Sequence, residues 1–179
     1  MVLEFKEGVS TPENWFRQAW QMFEASKSLY EVFSVREMNT SEKDNYRHVG
    51  AMKGAMLLLG LAAENALKGA LVYKHEPDTS NDRLYPNHFH KNAHDLTDVA
   101  DKLHLELSEP QLDLLGRLTI FVQWASKYHV PLKKSELERA SGKIKLVYPS
   151  DYADVENLIL RLQIESGYDE TYGWPQKTS

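Results

Sequence analysis

The sequence predicts an all-α protein, an up-and-down helical bundle of about five helices with one long loop between helices 2 and 3. Apolar residues recur at spacings of three and four along most of the chain, as they do on the buried face of an amphipathic helix. Capping residues precede most of the predicted helix starts, and short polar segments separate the helices everywhere except at 75–92. No internal repeat interrupts this pattern.

Length and composition are those of a single globular domain. The chain has 179 residues, of which 42% are hydrophobic and 26% are charged, and this composition is ordinary for a folded domain. We expect one domain over residues 1–167 and a C-terminal tail over 168–179. The net charge of -5 predicts no broad DNA footprint, although it leaves room for a local basic patch.

The absence of cysteine excludes disulfides and thiolate metal sites, and it fits the reducing cytoplasm in which we expect the protein to lie. The most apolar stretch, residues 54–72, is interrupted by Glu64, Asn65 and Lys68. We therefore interpret it as a core helix and predict no membrane partner.

The first two predicted helices are long. Thr11 and Pro12 begin the first, with Thr as N-cap and Pro at the first helical position. Its apolar stripe consists of Phe16, Ala19, Phe23, Ser26, Tyr30 and Phe33. Ser41 caps the second, which we expect to reach about Tyr73 and to pack along most of the first. Glycines inside the second helix would let a neighbouring helix approach closely.

A long polar loop and two further helices come next. Residues 75–92 are rich in Pro, Asp, Asn, Ser and His, which predicts a loop. Asp95 caps a short third helix. A capping box at Ser108–Gln111 begins the fourth, and Pro131 ends it. The inward stripe of the fourth helix is predicted to be Leu112, Leu115, Leu118 and Val122.

The last part of the chain holds the fifth predicted helix. Alternation of polar and apolar residues over 143–148 indicates a short extended arm. Ser150 and Asp151 cap the helix, which we expect to end near Gly167 and to be followed by a frayed tail. Its inward residues are predicted to be Val155, Leu158, Ile159 and Leu162.

Three segments together resemble a known family. Residues 57–71 read LLLGLAAENALKGAL, a helix rich in small residues. A helix then reopens at His94-Asp95-Leu96, and the fourth predicted helix ends in Trp124-Ala125-Ser126-Lys127-Tyr128-His129-Val130-Pro131. In order and spacing, over roughly 57–137, the chain is similar to the HEPN family, helical bundles found beside nucleotidyltransferases, in toxin–antitoxin pairs and in RNases.

The resemblance indicates which residues would cleave RNA if the chain did so. RNA-cleaving members use an Arg followed, after four to six residues, by a His. The Arg stabilises phosphate charge and the His handles the proton of the 2′-hydroxyl or of the leaving oxygen. The matching residues here are Arg83 with His88 or His90, but they fall in the loop, interrupted by Pro86, whereas the family places them near the final helices. We therefore expect Arg83 not to be catalytic.

The end of the fourth helix differs from the family pattern in a way that indicates a non-nuclease. Many non-nuclease relatives carry an Arg-Tyr-Pro step where this chain has Lys127-Tyr128-His129-Val130-Pro131. Lys127 keeps the charge but lacks the bidentate fork of Arg. We expect Lys127, Tyr128 and His129 to border a binding cleft in a homodimer. The competing interpretation is that Trp124 simply fills the core of the protomer.

Glu64 stands in the middle of a leucine-rich helix and needs a partner. Four residues later, Lys68 can pair with it along the same face. If Glu64 is buried, His94 and Lys127 are the other candidate partners. We therefore include Glu64, Lys68 and His94 in the predicted binding site.

The histidines of 88–95 raise the question of a metal. Imidazoles bind zinc or nickel, but the spacing matches no standard metal pattern, so we predict no metal site there. The sequence has no P-loop, no dinucleotide fingerprint, no His-Glu-x-x-His and no nucleophile elbow, and we predict no cofactor.

These observations favour a HEPN-like binding module. We expect a homodimer that engages a nucleotide, RNA or a partner protein such as a nucleotidyltransferase, without catalysis. The alternative is a metal-independent RNase of the toxin type that uses Arg83 with His88 or His90. A third interpretation is a helical protein whose resemblance extends only to the bundle, since fold does not dictate function.

Overall fold

The computed structural model describes residues 4–35, 41–79, 81–85, 88–89, 92 and 94–175. Within them the chain forms seven α-helices and no strand, which confirms the all-α class. The helices are α1 (Phe5–Ser10), α2 (Pro12–Ser34), α3 (Glu42–Lys74), α4 (Leu96–Lys102), α5 (Glu109–Ile120), α6 (Lys134–Ala140) and α7 (Ser150–Glu165). A π-helical turn, Phe121–Ala125, continues α5.

Helix α3 lies at the centre of the core. Helices α2, α4, α5 and α7 all pack against it, and α2 follows it over a long distance, as predicted. By length and composition α3 could cross a membrane, but 78% of its most apolar stretch is buried inside the protein. The other helices therefore supply the apolar surroundings that this stretch requires.

Three glycines let neighbouring side chains lie directly on α3. A Cβ added at Gly54 would come within 2.8 Å of Leu29 on α2, and one at Gly69 within 2.9 Å of Trp15. A Cβ at Gly60 would come within 2.6 Å of Val122 Cγ2. Because real Cβ atoms do not approach other atoms so closely, the small-residue surface of α3 sets how near its partners lie.

Three of the predicted helix starts agree with the structure. α2 begins at Pro12, and Ser41 caps α3, its hydroxyl accepting from the amide of Asp44 at 3.1 Å. The capping box of Ser108 and Gln111 opens α5. The caps at Ser41 and Ser108 are local hydrogen bonds, which is why the sequence alone indicates them.

Other parts of the prediction are wrong. Helices α1 and α6 were not indicated, so the predicted number of about five helices is too low. Leu112 on α5 is 45% exposed instead of buried, and Leu114 takes its place in the core. Residues 144–147, inside the predicted extended arm of 143–148, form no regular secondary structure.

The C-terminal tail is also ordered further than predicted. Asp169 and Gly173 close a turn through two backbone hydrogen bonds, and the ring of Trp174 lies 5.6 Å from that of Phe16 on α2. The described part of the tail, 168–175, therefore packs on the bundle instead of fraying.

An ion-pair network joins α5 to the start of α7. Arg117 is 4% exposed, and its guanidinium donates to both carboxylate oxygens of Asp151 at 2.7 Å. It also donates to Asp113 at 2.8 Å and to the carbonyl of Lys145 at 3.1 Å. The hydrogen bond to Asp151 is the main cause of the raised pKa of Arg117, and the bond from Arg117 lowers the pKa of Asp113.

Asp151 was predicted to cap the last helix, but it has a longer-range role. Its Oδ2 accepts from the amide of Val147 at 2.7 Å as well as from Arg117. The carboxylate therefore fixes the irregular 143–147 segment against α5, because a bidentate, charge-assisted pair has strict geometry.

We predict that Gly60→Ala lowers the free energy of unfolding by about 1–2 kcal/mol. The strain of overpacking against Val122, about 1–3 kcal/mol, exceeds the gain in helix propensity of up to about 1 kcal/mol. The matched control is Gly116→Ala on α5, whose added Cβ meets nothing within 4 Å. It should raise stability by about 0.5–1 kcal/mol. Urea denaturation of both variants measures the difference, and equal effects would contradict the close approach at Gly60.

Candidate binding site

Glu64 and Lys68 form a buried ion pair on α3. Lys68 Nζ lies 2.5 Å from Glu64 Oε1, and the two residues are 8% and 5% exposed. The same Nζ lies 5.0 Å from the centroid of the Phe89 ring, which gives Lys68 a cation–π contact as well. Since both charges are nearly removed from water, each is stabilised chiefly by the other.

His94 connects this buried pair to the protein surface. Its Nδ1 lies 3.2 Å from both carboxylate oxygens of Glu64, while its side chain is 63% exposed. The structure therefore unites three predicted site residues, Glu64, Lys68 and His94. Lys127, the other candidate partner of Glu64, makes no ion pair with it.

Three hydrogen bonds fix the chain directly after His94. Asp95 caps α4, its Oδ1 accepting from the amide and the hydroxyl of Thr97 at 3.2 Å and 2.6 Å. The amide of Leu96 donates to Thr119 Oγ1 on α5 at 3.0 Å. The sequence His94-Asp95-Leu96 thus has a physical role: it anchors the end of the long loop to α5 and keeps the imidazole above Glu64.

The loop before His94 is packed onto the core at Phe89. Phe89 is 3% exposed and meets the ring of Trp15 edge-on at 5.2 Å. Lys102 donates a hydrogen bond to the carbonyl of His88. Burial, and then the charges of Lys102 and His75, lower the pKa of His88. A neutral imidazole at this position is therefore favoured near neutral pH.

The structure does not unite the predicted Arg–His pair. The Arg83 guanidinium lies 5.3 Å from the centroid of the Tyr85 ring. Neither a hydrogen bond nor a ring contact joins Arg83 to His88 in the part of the chain that the structure describes. His90 and Pro86 lie outside the described residues, so the second pair has no observed geometry.

The remaining predicted residues lie at the end of α5, beside a cleft of about 260 Å³. Tyr128 is 62% exposed and Leu132 is 99% exposed, whereas Trp124 is 7% exposed and belongs to the core cluster. Trp124 therefore fills the core and also forms one wall of the cleft. The lining residues are Asn92, Gln123, Trp124, Tyr128, Leu132 and Glu136.

The long loop links this cleft to the polar cluster formed by Glu64, Lys68 and His94. Asn92 lines the cleft, and it precedes His94 by two residues. Lys127 and His129 are exposed on either side of Tyr128. The predicted site thus divides into a buried polar cluster on α3 and an open cleft after α5.

Basic residues are concentrated in the chain beside this cleft, whereas the rest of the chain is acidic. Residues 127–145 contain six Lys or Arg and two Glu, a net charge of +4. The other residues, with 15 basic and 24 acidic side chains, carry -9. We call 127–145 the basic segment. All of its cations are exposed: Lys127, Lys133, Lys134, Arg139, Lys143 and Lys145.

The basic segment begins just after the end of α5 and returns toward the first half of that helix. It starts where the π-helical turn ends, and its last residue, Lys145, is bound through its carbonyl to Arg117. Lys143 and Lys145 also lie near enough to Asp113, in the first half of α5, to lower the pKa of that carboxyl. The cations are therefore spread beside α5 instead of being gathered at one point.

The comparisons with known proteins add no constraint: no protein-family model, curated protein or solved structure matches the chain. Among the described residues, no group of three or more His, Asp or Glu side chains is arranged to hold a metal ion. Because His90 is outside that part of the chain, the predicted absence of a metal at 88–95 stays a prediction.

We predict that Glu64→Leu lowers the free energy of unfolding by about 3 kcal/mol, because it leaves the Lys68 charge buried and unpaired. The double variant Glu64→Leu with Lys68→Met should return to within about 1 kcal/mol of the wild type. The control is Glu13→Leu, which removes the exposed Glu13–Arg17 pair and should cost less than about 1 kcal/mol. Denaturant unfolding tests the series. A double variant as unstable as the single one would contradict the pairing argument.

Proposed function

We propose that the protein is a non-catalytic, HEPN-like helical module that binds single-stranded RNA at the cleft after α5, and that it works as a homodimer. The observation that carries this proposal is the basic segment, an exposed cationic stretch on an otherwise acidic chain. It borders a cleft with an exposed aromatic ring, Tyr128.

The resemblance to HEPN bundles rests on the order of the elements. In this proposal α2, α3, α5 and α7 form the up-and-down bundle, and α1 and α6 are additions to it. Glu64 and Lys68 on α3, together with His94 before α4, then form a polar cluster that holds the long loop in place. The contacts among these three residues support a structural role for the segments that carry the resemblance.

Single-stranded RNA fits the chemistry of the basic segment. Spaced cations neutralise successive phosphates, and an exposed aromatic ring offers a surface on which a base can stack. A mononucleotide would engage only part of a segment that extends beside α5. A folded partner protein would need an acidic surface of matching shape, and that alternative is separated from RNA by the experiment below.

We predict that Lys133→Gln with Lys134→Gln weakens binding of a labelled single-stranded RNA. The loss of two phosphate contacts should reduce the slope of log affinity against log salt by about 1.4, at about 0.7 per contact. Lys6→Gln with Lys43→Gln, which removes two exposed lysines elsewhere, is the charge-matched control. Fluorescence anisotropy at several salt concentrations gives both quantities.

Two results would count against RNA as the ligand. Equal weakening by the control pair would mean that net charge, and not the basic segment, governs binding. Absence of RNA binding at low salt would leave an acidic partner protein as the favoured ligand of the segment.

We predict no metal-independent RNA cleavage that depends on Arg83. The structure places this residue against Tyr85 and not against His88. Incubation of the RNA with wild-type protein and with Arg83→Ala, both in EDTA, is the measurement. Cleavage by the wild type that is abolished in Arg83→Ala would establish the toxin-type RNase in place of the binding module.

We predict that the wild type sediments as a dimer and that Leu132→Asp sediments as a monomer. A fully exposed leucine at the edge of this cleft gains by burial against a second copy, and a carboxylate there would be desolvated without a partner. Leu160→Asp on α7, where the leucine is 39% exposed, is the control and should leave the dimer intact. A monomeric wild type at high concentration would end the dimer proposal.

A further inference from the structure

A second cleft, of about 270 Å³, lies between α2 and the beginning of α7, and its lining residue Tyr148 follows the basic segment by three positions. The rings of Tyr30 and Tyr148 stack there with centroids 4.4 Å apart and planes 13° apart. Tyr148 is 59% exposed. The lining consists of Phe23, Lys27, Tyr30, Glu31, Tyr148, Pro149, Tyr152, Ala153 and Glu156.

One wall of this cleft is rigid. The hydroxyl of Tyr152 lies 2.9 Å from Ser26 Oγ and donates to the Ser26 carbonyl at 3.1 Å. Ser26 in turn donates to the carbonyl of Ala55 on α3 at 2.7 Å. The ring of Tyr152, 6% exposed, is therefore fixed against both long helices. A ligand would meet a preformed surface at this wall.

The tyrosine hydroxyls at the mouth of the cleft are available. Within the described part of the chain, neither Tyr30 nor Tyr148 has a hydrogen bond through its hydroxyl. Phenolic hydroxyls placed over an apolar floor can donate to the carbonyls of a bound chain.

The charges around the cleft favour a cationic ligand. Glu31 and Glu156 are exposed at its rim, and no ion pair involves either carboxylate among the described residues. The one lysine present, Lys27, is paired with Glu24 at 3.1 Å and lies over the ring of Phe23. An anionic ligand would face two unneutralised carboxylates.

The ring arrangement distinguishes between cationic ligands. A box for a quaternary ammonium ion needs aromatic faces on several sides of the ion. Tyr30 and Tyr148 instead lie face to face against each other, so together they form a ridge. A ridge of tyrosines beside a proline, with hydroxyls at its edge, suits the flat rings and exposed carbonyls of an extended polyproline II segment.

We propose that this cleft binds an extended, proline-containing peptide segment with a basic residue beside the proline. The proline packs against the Tyr148 ridge and the Tyr152 wall, the tyrosine hydroxyls donate to peptide carbonyls, and the basic residue meets Glu31 and Glu156. The size of the cleft limits the contact to a short stretch of chain. The proposal does not depend on RNA binding at the cleft after α5.

The test uses the full-length protein and a labelled probe peptide that contains Pro-Pro-Arg-Pro. One comparison peptide replaces the prolines by alanine and another replaces the arginine by glutamate. Fluorescence anisotropy should show saturable binding of the probe and at least about tenfold weaker binding of each comparison peptide. Tyr148→Ala and the pair Glu31→Gln with Glu156→Gln should each weaken the probe about tenfold.

Matched variants separate this site from general surface effects. Tyr172→Ala removes a tyrosine that is 87% exposed elsewhere, and Glu106→Gln with Glu170→Gln removes two other exposed carboxylates. Both should bind the probe as the wild type does. Circular dichroism of each variant must show the helical content of the wild type.

Several outcomes would overturn the proposal. These are no saturable binding of the probe, equal binding of the alanine peptide, or an unchanged affinity in Tyr148→Ala. Displacement of the probe by tetramethylammonium at equal concentration would show that the site recognises an isolated organic cation instead.

Discussion

The burial of residues 55–72 of α3 on most sides is the constraint from which much of the structure follows. A helix in that position can carry only side chains that its neighbours accept, and the close contacts at Gly54, Gly60 and Gly69 show how little room they leave. A charge in this buried stretch must find its partner inside the protein. Glu64 and Lys68 meet that condition for each other, and His94 extends the pair to the loop. The core therefore determines where the loop can end.

Two kinds of surface surround this core. On the side of α5 the chain is basic and presents Tyr128 and Leu132, whereas the cleft between α2 and α7 is aromatic with carboxylates at its rim. Both surfaces adjoin helices that pack against α3, and Arg117 and Asp151 hold two of these helices, α5 and α7, to each other. The ligands proposed for the two faces differ in charge, so neither ligand would compete for the face of the other.

Most of the contacts that the sequence predicted join residues that are close together along the chain. The caps at Ser41, Asp95 and Ser108 and the pair Glu64–Lys68 lie within one helical turn, so their spacing is enough to identify them. His94 could be suggested as a partner of Glu64 only because a buried carboxylate requires one.

The features that the sequence missed join distant segments. Arg117 and Asp151 are 34 residues apart, and Tyr30 stacks on Tyr148 across most of the chain. Trp174 reaches back to Phe16 in the same way. Such pairs depend on how helices are arranged in three dimensions, which periodicity does not specify. Leu112 shows the same limit in one helix: the other residues of the predicted stripe, Leu115, Leu118 and Val122, are buried, but Leu112 is exposed and Leu114 is buried, and only packing decides which of these two leucines faces inward.

The π-helical turn at Phe121–Ala125 changes the direction in which the side chains directly after it point. Such a turn bonds i to i+5, so it takes up one residue more than an α-helical turn would. Each residue of an α-helix advances the side-chain direction by about 100°. Removing one residue from this turn would therefore swing Tyr128 about a quarter of a circle around the helix axis, away from the wall formed by Trp124. The directions of the aromatic side chains at the end of α5 thus depend on a single surplus residue, and an otherwise similar helix without that residue would point them elsewhere.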